Sequence, residues 1–192
     1  INWLIYPVYF LLFILGILDY REELKEQLAL ILTKKKEFLK TISLYMVFVF
    51  LLSITCNLLS ALIKHSLGLP LQGQNEANIQ GALLKNPFLI LVISCLIGPI
   101  VEEFFFHRFF LGTFLAKFSN WLGIVLTTFL FATLHMHSWA LSEWVTAISY
   151  IAGGLLLSLL YLRKDKNIWY PIALHCCNNI IAFVITIFSI SQ

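Results

Sequence analysis

The chain alternates between long apolar stretches and short polar segments. An α-helix needs about 20 apolar residues to cross a bilayer core about 30 Å thick. Six stretches approach that length: 1–18, 42–63, 87–115, 121–136, 143–162 and 169–190. The pattern predicts an all-α protein, a polytopic bundle of about six transmembrane helices.

The composition supports a membrane protein. Of the 192 residues, 60% are hydrophobic and 12% are charged, whereas soluble domains contain about 25% charged residues. The basic residues do not form a patch interleaved with aromatic side chains, as nucleic-acid-binding surfaces do. A lipid bilayer is therefore the expected surrounding, and no nucleic-acid partner is expected.

The basic residues predict the orientation of the helices. The second connecting segment holds only Lys64 and Lys85. Ten of the thirteen Lys and Arg residues fall in the first, third and fifth segments: Arg21, Lys25, Lys34, Lys35, Lys36, Lys40, Lys117, Arg163, Lys164 and Lys166. Because basic residues concentrate in cytoplasmic loops, we expect a multi-pass integral membrane protein with the start of the chain outside.

Two connecting segments carry further information. Residues 22–39 place apolar residues near helical spacing among charges, which predicts an amphipathic helix on the inner face. This helix would be either a solvated connector or a cytosolic docking surface. Residues 68–81 contain three glycines and one proline, which predicts an irregular outside loop.

The later spans contain ionisable side chains that are costly in lipid. A charged group at the bilayer centre costs about 2.5–3.5 kcal/mol on insertion scales, so such groups mark candidate sites. They are Glu102, Glu103, His107 and Arg108 in the third span, His135 in the fourth, and His175, with the amides Asn178 and Asn179, in the sixth. We therefore divide the chain into residues 1–86, with two spans, and residues 87–192, a four-span core that carries the candidate site.

Helical geometry limits which of these side chains meet. Glu102 and Glu103 are consecutive and point about 100° apart, so they cannot serve one small site equally. Glu103 and His107 are four residues apart and share a face. Arg108 could neutralise either carboxylate. The sequence leaves open an alternative, in which Glu103, His107 and Arg108 form a buried structural ion-pair network.

The residue types suit activation of a water molecule. A carboxylate can take a proton from water, and a histidine can orient that water or bind a metal. A neutral histidine and an amide can donate hydrogen bonds to a developing oxyanion. The chain contains no G-x-S-x-G sequence for a serine nucleophile and no H-E-x-x-H zinc motif. Hydrolysis by activated water is therefore the candidate chemistry.

Three motifs together resemble those of a known family. E-E-F-F-F-H-R at 102–108, F-x-x-x-H at 131–135 and H-x-x-x-N at 175–179 are similar to motifs of the CPBP family of intramembrane proteases. That family includes CAAX-processing endopeptidases and bacterial abortive-infection or bacteriocin-immunity proteins, so the resemblance implies a location in the bacterial cell membrane. The resemblance covers the chain from about Pro87 to its end. It implies an endopeptidase that hydrolyses a peptide bond of a membrane-associated protein or peptide near the cytosolic interface.

The resemblance also implies a role for each motif residue. Glu102 is expected to activate the attacking water and His135 to hold it. His175 and Asn179 are expected to stabilise the oxyanion, and Glu103 to support them. The protease would be of the glutamic or the metallo type, so the cofactor is undetermined. If zinc takes part, the candidate ligands are Glu102, His135 and His175.

One departure from the family pattern concerns the supporting cation. The family has E-E-x-x-x-R followed by Gly, whereas His107 stands at the arginine position and Arg108 at the glycine position. Either Arg108 substitutes from one residue later, or His107 takes the role. The departure supports an alternative function, an immunity or binding protein without turnover. A third alternative is a transporter or proton relay, although no inverted repeat is visible.

The motif residues lie at different distances from the ends of their helices. At 1.5 Å per residue, Glu102 lies about 22 Å from the outer start of its span, His135 about 21 Å from an inner start, and His175 about 10 Å from an inner start. Convergence requires that the spans tilt or that some begin deeper. We expect the site in the inner half of the bilayer, open to the cytosol.

Overall fold

The computed structural model describes residues 5–190, so the first predicted span, 1–18, begins outside the described residues. Within residues 5–190 the chain forms eight helices and no strand. They are α1 (Ile5–Asp19), α2 (Arg21–Thr33), α3 (Lys35–Ser66), α4 (Gln74–Leu83), α5 (Pro87–Phe114), α6 (Asn120–Leu134), α7 (Leu141–Arg163) and α8 (Trp169–Ile190). The predicted all-α class is confirmed.

Four helices, α3, α5, α7 and α8, are long and apolar enough to cross a membrane. The apolar helices α1 and α6 contain 15 residues each, which corresponds to about 22 Å at 1.5 Å per residue. The helical membrane bundle is confirmed. The described parts of two predicted spans, 1–18 and 121–136, are therefore shorter than a full crossing requires.

Side-chain caps define where α5 and α6 begin. Asn86 Oδ1 accepts a hydrogen bond of 3.1 Å from the N–H of Leu89, and Pro87 follows in the first turn, where its missing N–H costs nothing. Ser119 Oγ accepts a hydrogen bond of 3.3 Å from the N–H of Leu122. These caps satisfy amides that have no partner within the helix.

The helix α5 is wound more loosely in two places. Ile93–Ile97 and Phe104–Phe114 are π-helical, so each N–H bonds to the carbonyl five residues earlier. In that register the carbonyl of Ser94 would need an N–H at Pro99, which proline lacks. Asn179 of α8 fills the gap, because its Nδ2 donates to the Ser94 carbonyl over 2.9 Å. This bond ties α8 to α5.

The helix α7 is the central element of the bundle. It packs against α3, α6 and α8, and it also contacts the second π-helical part of α5. Its buried side joins a core cluster that includes Phe106, Phe131, Leu157, Leu160 and Leu174. The three motif-bearing helices therefore share α7 as a common support.

The helix α2 is docked on the protein. The predicted amphipathic helix over 22–39 is confirmed in part, because a helix covers Arg21–Thr33 whereas residues 35–39 belong to α3. Polar side chains of α2 reach the connection between α7 and α8. Gln27 Oε1 accepts a hydrogen bond of 2.8 Å from the N–H of Ile168, and Trp169 Nε1 donates to the Leu24 carbonyl over 2.9 Å. The start of α8 is therefore packed against α2, next to the buried Ile168.

The segment 68–81 contains the start of a helix, so its prediction as an irregular loop is wrong in part. The helix α4 occupies Gln74–Leu83 and includes Gly81, one of the glycines that suggested a loop. Glu143 of α7 stabilises its start, because Oε1 of Glu143 accepts the N–H of Gln74 over 3.1 Å. A long-range carboxylate thus supplies the cap that the local sequence lacks.

Candidate active site

Three motif residues meet at one point between α5, α6 and α8. Glu102 Oε2 lies 3.9 Å from Nε2 of His135 and 3.9 Å from Nε2 of His175. The Glu102 and His135 side chains are 14% and 18% exposed, whereas His175 is 7% exposed. The meeting point is therefore largely enclosed but is not sealed from a ligand.

The end of α6 orients His135 toward Glu102. The N–H of His135 bonds to the Ala132 carbonyl, which leaves the Phe131 carbonyl without that backbone donor. The imidazole takes its place, with Nδ1 at 2.8 Å from the Phe131 oxygen. Because a carbonyl only accepts, Nδ1 carries the hydrogen, and Nε2 of the neutral ring is an acceptor that faces Glu102.

Glu103 is fully buried and contacts two histidines. Its Oε1 lies 2.8 Å from Nδ1 of His175, and its Oε2 lies 2.5 Å from Nδ1 of His107. The other ring nitrogen of His107 lies 3.1 Å from Ser158 Oγ. Because a carboxylate accepts, Nδ1 of His175 donates to Glu103, and the ring directs Nε2 toward Glu102. Such a bond fixes the orientation of an imidazole.

Arg108 is engaged away from this cluster. Its Nε lies 2.7 Å from Oε2 of Glu23 on α2, and its guanidinium carbon lies 5.1 Å from the centre of the Tyr20 ring. The predicted support of a site carboxylate by Arg108 therefore has no contact in the described structure. His107 occupies the position beside Glu103, and Arg108 connects α5 to α2.

Asn179 lies one turn after His175 on α8, as its spacing predicts. One N–H of its amide is occupied by the Ser94 carbonyl. An amide nitrogen carries two hydrogens, so one remains outside this bond. The Asn179 amide thus ties α8 to α5 at Ser94, eight residues before Glu102.

The side chains of α7 form part of the site that the motifs did not predict. Tyr150, Gly154 and Ser158 are spaced by four residues, so they lie on one face of the helix. They contact, in order, His135, Phe131 and His107. This i, i+4, i+8 series of small and polar residues within an apolar span was the signal that could have revealed them.

Gly154 allows the α7 packing to be tested. A Cβ at Gly154 would lie 3.0 Å from the Phe131 ring, whose centre lies 4.7 Å from that of His135 and 5.7 Å from that of His175. We expect Gly154→Ala to lower the free energy of unfolding by about 1–3 kcal/mol, as overpacking does, measured by thermal unfolding in detergent. Gly153→Ala is the control, since nothing lies within 4 Å of that position. Equal stability of the two variants would contradict this packing.

The candidate metal ligands do not have the spacing of a zinc site. Bond lengths of about 2.0–2.2 Å place two ligand atoms of a tetrahedral zinc ion about 3.4 Å apart, whereas Glu102 Oε2 lies 3.9 Å from each histidine nitrogen. Within residues 5–190, no group of three or more His, Cys, Asp or Glu side chains is arranged to hold a metal ion. The donors have suitable chemistry, but their spacing suits a hydrogen-bonded water better.

An exposed histidine follows α6 on the side of α4, whereas the histidine that pairs with Glu103 is buried. His137 follows the end of α6 and is exposed, and its Nε2 lies 3.3 Å from Asn75 Oδ1 on α4. Toward the basic loops, the Glu103 and His107 side chains have 0% exposure. The predicted opening toward the basic, cytosolic side stays a prediction.

The fold and the geometry define a helical membrane protein with a carboxylate–histidine site between its helices. Residues 84–181, just over half of the chain, match the family of type II CAAX prenyl endopeptidases described as Rce1-like. The chain belongs to this family. The resemblance to CPBP proteases, inferred from three short motifs, is confirmed.

One curated relative is a bacterial membrane protein. The putative membrane peptidase YdiL of Bacillus subtilis (strain 168) is 27% identical over 109 residues, which cover 56% of this chain and 42% of that relative. The match thus spans less than half of the relative's length. No solved structure matches the chain.

Proposed function

We propose that this protein is an intramembrane endopeptidase that hydrolyses a peptide bond of a membrane-associated protein or peptide. The observation that carries the proposal is the position of Glu102 Oε2, at 3.9 Å from Nε2 of both His135 and His175. A carboxylate and two histidines from three different helices are placed to act on one molecule between them. Membership in a family of endopeptidases supports the same activity.

A water molecule fits between Glu102 and His135. Two acceptor atoms 3.9 Å apart can both bond one water at about 2.8 Å. Glu102 accepts one hydrogen of this water, and neutral His135 accepts the other at Nε2. A lone pair of the water oxygen then faces away from both side chains, which is the orientation that attack on a peptide carbonyl requires.

Glu102 serves first as general base and then as general acid. As the water oxygen bonds to the carbonyl carbon, its proton passes to Glu102 and the carbonyl oxygen becomes an oxyanion. Glu102 then gives the proton to the amide nitrogen, and the C–N bond breaks as the carbonyl reforms. The products are a carboxyl group and an amine, so no oxidant or further reactant is needed.

His175 and Asn179 stabilise the oxyanion. Because Nδ1 of His175 donates to Glu103, a neutral ring has no hydrogen on Nε2, and the ring donates from Nε2 only as an imidazolium. The expected neutral donor is therefore replaced by a charged one, which the Glu103 carboxylate stabilises. The second N–H of Asn179 adds another donor, and such donors contribute about 3–4 kcal/mol each in well-studied hydrolases.

The direct test is cleavage of defined peptides by the purified full chain in detergent micelles. Two internally quenched peptides that end in a CAAX sequence are compared, one farnesylated and one not, and mass spectrometry locates the cleaved bond. We expect cleavage that survives exhaustive chelation. Loss on chelation with recovery on addition of zinc would overturn the bare-water mechanism. If neither peptide nor a membrane-extract protein is cut, the peptidase proposal is contradicted.

His107 and Arg108 allow the support of Glu103 to be separated from the docking of α2. We expect Arg108→Ala to keep the cleavage rate within about threefold and to cost up to about 1 kcal/mol of stability, because its ion pair with Glu23 is partly exposed. His107→Ala leaves Glu103 with one histidine partner and should lower the rate about 10–100-fold, as removal of a supporting residue does. A larger rate loss in Arg108→Ala than in His107→Ala would reverse this assignment.

The side from which the peptide enters follows from the exposed groups near α4. We propose entry from the α4 side, and the predicted orientation places that side outside the cell. In intact cells, on a chain without native cysteines, a membrane-impermeant maleimide should label Ser138→Cys but not Lys35→Cys. The opposite labelling would overturn the predicted orientation and place the α4 side, with the proposed entrance, in the cytosol.

A further inference from the structure

The ring of Tyr150 lies against the imidazole that faces Glu102. The ring centres of Tyr150 and His135 are 4.4 Å apart, and the two planes are inclined by 21°. This is a stacked arrangement, the closest of the ring contacts made by His135, since Phe131 lies at 4.7 Å and 41°. Both rings limit rotation of the imidazole about its own bond to Cβ.

The rotation of His135 matters because its two ring nitrogens have different tasks. Nδ1 donates to the Phe131 carbonyl, and Nε2 faces Glu102 as an acceptor. The hydrogen bond from Nδ1 fixes the tautomer and favours one ring orientation, and a stacked neighbour adds further resistance to rotation of the ring. The stack therefore helps to keep Nε2 at the position where the water is held.

Tyr150 is itself held from α4. Asn75 Nδ2 donates to the Tyr150 hydroxyl over 3.1 Å, and Asn75 Oδ1 lies 3.3 Å from Nε2 of His137. The backbone around this group is fixed by the buried carboxylate of Glu143, which accepts the N–H of Gln74 at 3.1 Å and that of His137 at 3.2 Å. A continuous set of contacts thus leads from α4, through the Tyr150 ring, to His135.

We propose that Tyr150 is a positioning residue for His135 and that Asn75 holds the Tyr150 ring in place. This inference rests on the proposed function, because its kinetic consequence appears only if His135 holds the attacking water. It assigns a task to α4 and α7, neither of which carries a motif of the family.

Three substitutions separate the ring from its hydroxyl. Tyr150→Leu fills similar volume without an aromatic face, Tyr150→Phe keeps the ring and loses the bond to Asn75, and Asn75→Ala removes that bond from the other side. We expect Tyr150→Leu to lower kcat about 10–100-fold, as loss of an orienting residue does, with KM within about threefold. Tyr150→Phe should keep most of the wild-type kcat, and Asn75→Ala should have the same kcat as Tyr150→Phe.

The second measurement observes His135 directly. Nitrogen-15 NMR of the full chain labelled at histidine, with the His135 signals identified by their loss in His135→Gln, reports which ring nitrogen carries hydrogen. We expect one tautomer in the wild type, with hydrogen on Nδ1, and averaged signals in Tyr150→Leu. Ile151→Ala, a neighbouring change at a position 38% exposed on α7, is the control and should alter neither the spectrum nor kcat.

Each outcome decides the inference. An unchanged His135 spectrum in Tyr150→Leu overturns it, whether or not kcat falls, and so does a changed spectrum with an unchanged kcat. If Tyr150→Leu does not fold, Tyr150→Phe and Asn75→Ala must show smaller shifts of the same kind, and wild-type spectra in both overturn it. If the wild type cleaves neither peptide, the proposed function fails, and the spectra still show whether Tyr150 orients His135.

Discussion

Replacing Glu102 with glutamine is expected to lower the rate of peptide cleavage by about 10²–10⁴-fold, the contribution typical of a general base. The amide has nearly the same shape as the carboxylate, but it cannot take a proton from water. The side chain is 14% exposed and belongs to none of the apolar core clusters, so the fold should be retained. The measurement is kcat with the quenched peptides, and thermal unfolding checks that the variant is folded.

The matched control is Glu22→Gln. Glu22 is an exposed carboxylate on α2 that pairs with Arg21 and Lys25, so the same chemical change occurs far from the site. Its rate should equal that of the wild type. If Glu102→Gln kept the full rate, another group would have to activate the water. If it kept full biological activity without cleavage, the immunity or binding alternative would gain support.

Glu103→Ala is expected to lower the free energy of unfolding by about 3–5 kcal/mol, because removing one partner of a buried ion pair leaves the other without compensation. The Glu103 carboxylate has no exposure and contacts Nδ1 of both His107 and His175. Two buried imidazoles would lose their carboxylate partner at once. Thermal unfolding in detergent measures the loss, and cleavage should fall as well because His175 would no longer be oriented.

Glu26→Ala is the comparison for this stability effect. Glu26 is an exposed carboxylate of α2. Its removal should change the free energy of unfolding by less than about 0.5 kcal/mol, the usual limit for surface substitutions. Similar losses in Glu103→Ala and Glu26→Ala would mean that Glu103 does not connect the two histidines in the folded protein.

The sequence predicts those parts of the site that depend on one helix or on one motif. The pairing of Glu103 with His107 follows from a spacing of four residues, and the structure contains it. The meeting of His175 with Glu102 depends on where α8 packs against the other helices, and its docking on α2 is one of those contacts. Gln27 and Ile168, which make this contact, lie far apart in the sequence, so periodicity alone could not predict it.

Long-range polar contacts explain the remaining differences. Glu143 stands at the start of the fifth predicted span, where an acidic residue is ordinary at a membrane boundary. In the folded protein it is 6% exposed and binds the backbone N–H groups of Gln74 and His137. No feature of the sequence near residue 74 identifies Glu143 as the partner of that backbone. The sequence therefore predicts a loop over 68–81, where the structure has the start of α4.

The short helix α6 has a consequence for the surrounding lipid. It ends at Leu134 after 15 residues, a length of about 22 Å, which is about 8 Å less than the hydrocarbon core. The bilayer beside it has to become thinner, at a cost of a fraction of a kcal/mol per Å, or the polar connection at 135–140 has to dip below the headgroups. In both cases headgroups and water come toward His135, the residue that follows the helix, so the peptide entry proposed from the α4 side would cross less than the full thickness of the membrane.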